Sequence, residues 1–414
     1  MRRRGIVLVV VLAALAGVMA GIAIYSMNQR DAMFVSVNRT EARRARLAAE
    51  GGIQLAMASL QSVAEAPESP VTLEDDWAIL GSNGAEAYKI GNDSFRVQIV
   101  DNTGKLDVNF VTEEVLENLP LTQEQIDSFL DWREVSTSPR ASGAKDEYYN
   151  ALPRPYNTRM GRIQTLSELL LIRDFTPATL YEIQEGSVNT TRTGTNELPL
   201  SEILGVDCYS AAFMPEGDGK VNLNQQGLTA QQLAQRAQIS QQVATTIINN
   251  RAGQPNGQFT ALSQVLALPG VSNSQDTIRN ILDRTTTSTS ERVEGKINVN
   301  TCNAEVLSYL TGVTQDIANQ IVDNRPTDGY QALSDLLSVS SDSDFVGTIG
   351  DFFNVNSQSF EVRVIGKAGR TTVTLVAIVQ ISQGVPTLLR IEEAPLANME
   401  ATWQWDEEVN ENIL

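Results

Sequence analysis

Apolar and polar positions divide this chain into regions of different rhythm. The first is the uncharged run Ile6 to Tyr25, IVLVVVLAALAGVMAGIAIY, which follows the basic leader Met1-Arg2-Arg3-Arg4-Gly5. A helix of that length rises about 1.5 Å per residue and so spans roughly 30 Å, one bilayer core. The helical spacing then continues to about Ala66: Met27, Ala32, Met33, Val35, Ala42, Ala45, Ala49, Ile53, Leu55 and Leu60 form a loose stripe with no proline among them. The pattern predicts one long helix over 6–66, membrane-embedded over 6–25 and packed on a soluble domain above. A cleaved secretory signal fits less well, because the apolar stretch exceeds the usual length and no clear small-residue cut site follows. Three arginines before the span favour a cytoplasmic start, with the bulk of the chain across the membrane.

Period-two segments mark strands at Ala87–Ile90 and Phe95–Val100, and again at Phe360–Gly366 and Thr371–Ile381. The last two read as a hairpin about Gly369-Arg370. Between the two pairs lies a threefold repeat. Lys105-Leu106-Asp107-Val108-Asn109 recurs as Lys220-Val221-Asn222-Leu223-Asn224 and as Lys296-Ile297-Asn298-Val299-Asn300. Each copy is followed by a helical phrase (IDSFLDWRE, VATTIINNRA, IANQIVDNRP) and then by a closing phrase (IQTLSELLLI, FTALSQVLAL, YQALSDLLSV). Three phrases in one order, three times, indicate duplication. The units span 105–172, 220–271 and 296–339. In each, an extended lead-in ends in asparagine, an apolar helix face follows, and Ser167, Ser263 or Ser334 is expected to cap a second short helix. The repeated polar residues are read as capping and packing groups. Ser-Thr runs at Thr285–Ser290 and Asn189–Asn196 are expected to be surface linkers.

Composition removes several function classes. The chain has 414 residues, enough for two or three domains, and a net charge of −19. That charge argues against a nucleic-acid partner, since phosphate binding rests on Lys and Arg. The basic cluster Arg39, Arg43, Arg44 and Arg46 just beyond the span is assigned to lipid headgroups or acidic neighbouring helices. No histidine is present, which removes His-based triads and zinc signatures. Cys208 and Cys302 are compatible with one disulfide or with two structural thiols. No P-loop, dinucleotide or nucleophile-elbow motif occurs, and no enzymatic activity is expected.

The second and third units resemble helix-hairpin-helix modules, as found in membrane-anchored DNA receptors of competence systems. The Gly-hydrophobic-Gly hairpin of such receptors is incomplete here: Gly312-Val313-Thr314 and Pro269-Gly270-Val271-Ser272 each keep one glycine. The first unit carries an insertion, and its passage includes Asp131-Trp132-Arg133-Glu134, Gly143-Ala144-Lys145-Asp146-Glu147-Tyr148-Tyr149, Pro155-Tyr156 and Leu166-Ser167-Glu168-Leu169-Leu170. These residues resemble the core of general secretion pathway protein K, a minor pseudopilin of type II secretion, and the likeness extends over roughly 1–395.

The resemblance implies an α+β fold. A pilin-like long N-terminal helix and a small antiparallel sheet (67–111 and 341–395) would hold a large inserted all-α domain of helix-hairpin-helix-like repeats (112–340), before an acidic tail at 396–414. It implies cleavage of the leader (1–5) between Gly5 and Ile6 by a prepilin peptidase, with methylation of Ile6. Most pilin-like proteins carry glutamate at the fifth mature position, but the K-type member lacks it, and here that position is Val10. A buried carboxylate at bilayer depth costs on the order of 2.5–3.5 kcal/mol without a partner, and the first subunit of a fibre has none above it. The resemblance further implies calcium at Asp131, Glu134, Asp146 and Glu147, although Lys145 replaces an acid of the family pattern. Implied partners are other minor pseudopilins, the major pseudopilin and the inner-membrane assembly platform. The implied place is single-pass in the inner membrane with the soluble part in the periplasm. A membrane-anchored DNA receptor and a minor pilin of a type IV pilus are the alternatives.

Overall fold

In the computed structural model, which describes residues 3–184, 196–290, 292–394, 399–405 and 410–413, helix α1 runs Arg3–Ser59 without interruption for 57 residues. At 1.5 Å per residue it is about 85 Å long. It stops at Leu60 and resumes as a short helix, Gln61–Glu65. The two halves differ in what covers them. Leu8 through Thr40 is exposed throughout, whereas Ala45, Ala48, Ala49, Ile53, Ala56 and Leu60 are buried at helical spacing. Small residues on this stripe let a sheet approach closely: a Cβ on Gly366 would lie 2.0 Å from the Ala45 carbonyl oxygen. Glycine on the strand is therefore a steric requirement.

The sheet has six strands: β1 (Glu86–Ile90), β2 (Asp93–Asp101), β3 (Ser359–Ala368), β4 (Thr371–Ser382), β5 (Val385–Glu393) and β6 (Asn410–Ile413), in spatial order β5-β4-β3-β2-β1-β6. All neighbours are antiparallel except β6, which runs parallel to β1. Phe95, Val97, Ile99, Val362, Val364 and Leu375 face α1, and each such burial contributes roughly 1.5–3 kcal/mol. The described residues of the predicted acidic tail pack on the sheet: Met399, Trp403 and Trp405 surround Ile365 on the opposite sheet face, and β6 extends the sheet edge. Burying two tryptophans offers more apolar area than the neighbouring polar residues cost.

The helical domain leaves the sheet at one end. Asp101 closes β2 opposite Phe360 of β3, while Ser94 at the other end faces Lys367. Asp93, beside Ser94, binds Arg44 low on α1, and Gly369 lies against Glu41. Residues 102–358 therefore emerge at the end of the sheet farther from the apolar half of α1.

Each repeat closes on itself beyond its predicted end. The lead-in Leu106–Asp107 pairs in parallel with Leu204–Gly205, Val221–Asn222 with Thr285–Thr286, and Ile297–Asn298 with Phe353–Asn354. A final helix precedes each returning strand: Leu200–Ile203, Gln275–Arg284 and Ser343–Phe352. The units are thus 105–205, 220–286 and 296–354, and they share one continuous core. The domain boundary at 340 moves to about 354 accordingly. Thr285–Thr286 is a pairing strand with Thr285 buried rather than a linker, and residues 189–195 of the other predicted linker lie outside the described residues. The predicted serine caps also shift. Thr165 caps the turn Leu166–Leu171 by accepting the Glu168 amide, Ala332 stands at the matching position, and Ser263 opens its helix without a side-chain cap.

Candidate functional site

The repeated residues do the same work in each unit. The lead-in lysine donates to carbonyl oxygens at the end of the final helix: Lys105 to Ser201 (3.1 Å), Lys220 to Leu282 (2.8 Å), Lys296 to Gly350 (2.7 Å) and Asp351 (2.6 Å). A cation suits the negative end of a helix. Burial pushes Lys220 and Lys296 down to about 8. The arginine of the helical phrase grips the lead-in loop: Arg133 reaches Val108 and Val111, Arg251 reaches Leu223 and Gln225, and Arg325 reaches Val299 and Cys302. The second lead-in asparagine exchanges both amide bonds with a distant backbone: Asn109 with Ile163, Asn224 with Phe259, and Asn300 with Tyr330. These asparagines thus bridge segments rather than start the next helix.

The acid following the lysine-bound carbonyl differs in use. Asp283 accepts the Ser334 amide (2.9 Å) and Asp351 accepts the Ser263 amide (3.0 Å), so units two and three are joined reciprocally. The matching residue of unit one, Glu202, instead turns to the sheet and takes both oxygens to Arg363 at 2.8 Å. Arg363 is 3% exposed and also binds Glu361 at 2.7 Å, which in turn meets Lys105 at 3.2 Å. Burial alone would raise the Glu361 carboxyl, but Lys105 and Arg363 outweigh it and hold it at about 2. This four-residue network is one tie in the seam between helical domain and sheet, beside the bonds of Asp101 to Asn298 and Thr301 and of Arg390 to Asp207. Sequence reasoning missed it: Arg363 reads as the polar position of an alternating strand, yet its face is covered.

The family-pattern residues of the first unit converge on one aromatic knot. Trp132 packs edge-on against Tyr149 at 5.3 Å, Tyr149 against Tyr156 at 5.3 Å, and the Trp132 indole donates to Glu168 at 2.9 Å. Burial pushes the Tyr149 hydroxyl up to about 12. The four carboxylates assigned to calcium do not converge. Asp131 is buried and accepts the Arg140 amide, Glu134 pairs with the Arg140 guanidinium, Asp146 accepts the Thr158 amide, and Glu147 is exposed. Among the described residues no three acids, cysteines or histidines are grouped to hold a metal. The residues present do not fit a calcium ion.

In each hairpin the apolar residue is buried while its polar neighbour at the helix start is exposed. The hairpins are Pro120-Leu121-Thr122, Gln238-Ile239-Ser240 and Gly312-Val313-Thr314, so the middle hairpin lies before Pro269–Ser272 and not on it. Leu121, Ile239 and Val313 are buried, and Thr122, Ser240 and Thr314 cap the following helix with their own side chains. The third hairpin also lies under helix Ser343–Phe352, where Thr348 donates to the Thr311 carbonyl. One amide at the start of each following helix is thus already taken by its own cap.

At the membrane end, Gly5 and Ile6 lie within α1, and Val10 is exposed on it. One helix among the described residues is long and apolar enough to cross a membrane, and its apolar window is wholly uncovered by protein. The uncovered stretch continues past Tyr25 through Met27, Met33, Phe34, Val35 and Val37. The basic cluster is partly spent on the chain's own body: Arg44 binds Asp93, and Arg46 binds Glu50 and Glu393. Cys208 and Cys302 are buried free thiols, not a disulfide.

Comparison with known proteins adds a family likeness over part of the chain. The family described as "Type II secretion system (T2SS), protein K" matches residues 101–185, and the helix-hairpin-helix motif matches 293–341. No curated protein sequence matches the chain. Among solved structures, a chain from the GspK-GspI-GspJ complex of the enterotoxigenic Escherichia coli type 2 secretion system aligns with a TM-score of 0.51 at 12% identity. That alignment covers 87% of this chain and 99% of the other. At this identity the likeness establishes the α+β fold, with its long helix, sheet and helical domain.

Proposed function

We propose, from the premise that this chain belongs to the type II secretion protein K family, that it initiates and caps the tip of the pseudopilus. As a minor pseudopilin it is a structural subunit. Its partners at the tip would be two smaller minor pseudopilins, in line with the GspI and GspJ that accompany GspK in the matched complex. The major pseudopilin would continue the shaft below. The chain would stand in the inner membrane with its soluble part in the periplasm, and support protein export across the outer membrane.

The observation that carries this reading is where the bulk lies. Residues 102–358 leave and re-enter the sheet at the end away from the apolar half of α1, so the large domain would overhang a fibre's axis and obstruct a further subunit. The uncovered stretch Leu8–Val37 offers a bare apolar rod to neighbouring helices below. Val10 suits a first subunit, which has no terminal amine above it to pair with a carboxylate. The DNA-receptor alternative is disfavoured by a charge of −19 and by hairpins whose second glycine is replaced by a residue capping its own helix.

Mass spectrometry of the mature N-terminus tests the pilin-like premise. A methylated isoleucine at position 6 is the expected result. An intact Met1, or cleavage near Ala23, would contradict it.

A further inference from the structure

The insertion of the first unit is a long connection without regular structure for much of its length, running from the end of helix Gln123–Arg133 to the turn Leu166–Leu171. In the second and third units the same junction, Ala252 to Phe259 and Asp323 to Tyr330, takes only a few residues. A loop of this length inside a compact domain needs its own ties. One of them is a buried lysine. Lys145 is 5% exposed, and its ammonium donates to the backbone oxygens of Asp131 and, at 3.0 Å, of Glu134. Both carbonyls sit at the C-terminal end of helix Gln123–Arg133, where they lack intrahelical donors and the helix dipole is negative. The Asp131 carboxylate is buried as well and accepts the Arg140 amide. Burial pushes it up, and the Arg140 amide and the Lys145 and Arg140 charges oppose that shift. Carbonyl and carboxylate oxygens of this kind are the donors that a hard divalent cation would also take.

We propose that Lys145 is the resident cation of this oxygen-lined position: a tethered ammonium that closes the insertion onto its helix and leaves it independent of metal. The site needs no free ion because the neutralising charge is covalently attached. It follows that the insertion, and the aromatic knot it delivers through Tyr149 and Tyr156, keeps its fold in the presence of a chelator.

The test uses the full chain in detergent, unfolded thermally in EDTA and in millimolar calcium chloride. For the unsubstituted chain the two melting temperatures should agree to within about 1 °C. Lys145→Glu in EDTA should melt roughly 5 °C lower, on the scale expected for losing a buried tie in a domain this size, and calcium should return much of that loss. Lys145→Met separates the missing charge from the added acid: it should melt lower than the unsubstituted chain and ignore calcium. A calcium-driven rise of several degrees in the unsubstituted chain would overturn the proposal even if neither variant folds. So would a Lys145→Met protein as stable as the parent.

Discussion

The seam between the first unit and the sheet, and the seam between the second and third units, use one repeat position in two ways. At the first, Glu202 enters a buried network of two acids and two bases with Arg363, Glu361 and Lys105. At the second, Asp283 and Asp351 each accept a backbone amide from the neighbouring unit. A duplicated unit can thus dock onto a copy of itself or onto unrelated structure with the same acid, by changing what faces it. The two seams should fail differently. A charge network is costly to break on one side, because a buried partner is left unpaired, whereas an amide bond loses about one hydrogen bond.

The largest expected effect is therefore at Arg363. Arg363→Ala leaves Glu361 and Glu202 facing each other and should destabilise the chain by about 3–5 kcal/mol in urea unfolding. A loss below about 1 kcal/mol would mean the network is not what joins domain to sheet. Acid should weaken the same seam. Glu361 titrates at about 2 in the folded chain against an ordinary 4.5, so the folded form binds fewer protons. Its contribution is full above the ordinary value and declines as pH falls toward the folded one. Unfolding followed across that window should show a smaller pH dependence in Glu361→Gln than in the parent; an equal dependence would shift the cause elsewhere. The smallest effect is at the second seam. Asp283→Ala or Asp351→Ala should cost about 1–3 kcal/mol each by orphaning one amide, and the Asn versions less, since an amide oxygen still accepts. Losses equal to that of Arg363→Ala would erase the contrast between seams.

Much of this was legible in the sequence. The long helix, the strands β2, β3 and β4, and the threefold duplication follow from runs with strong periodicity or verbatim repetition. The returning strands Leu204–Gly205, Thr285–Thr286 and Phe353–Asn354 are two residues long and carry no period, so the units were drawn too short. Strand β5 was not singled out although it lies within the predicted body 341–395, and the buried Trp403 and Trp405 were missed because the stretch 396–414 was read as an acidic tail. The serines of the closing phrases looked like caps by residue type, yet Thr165 and Ala332 occupy that place. Of the assigned site residues, Val10 lies exposed on α1, whereas the four carboxylates were assigned to calcium from the family resemblance. The fold instead gives each a different amide or arginine, apart from Glu147 at the surface.

The account rests on this subunit standing first in its fibre, with the inserted domain beyond the end of the sheet. Immunogold electron microscopy of assembled pseudopili, with an antibody against residues 102–358, tests that directly. One label at a single end of each fibre is the predicted result, and labels repeating along the shaft would contradict it.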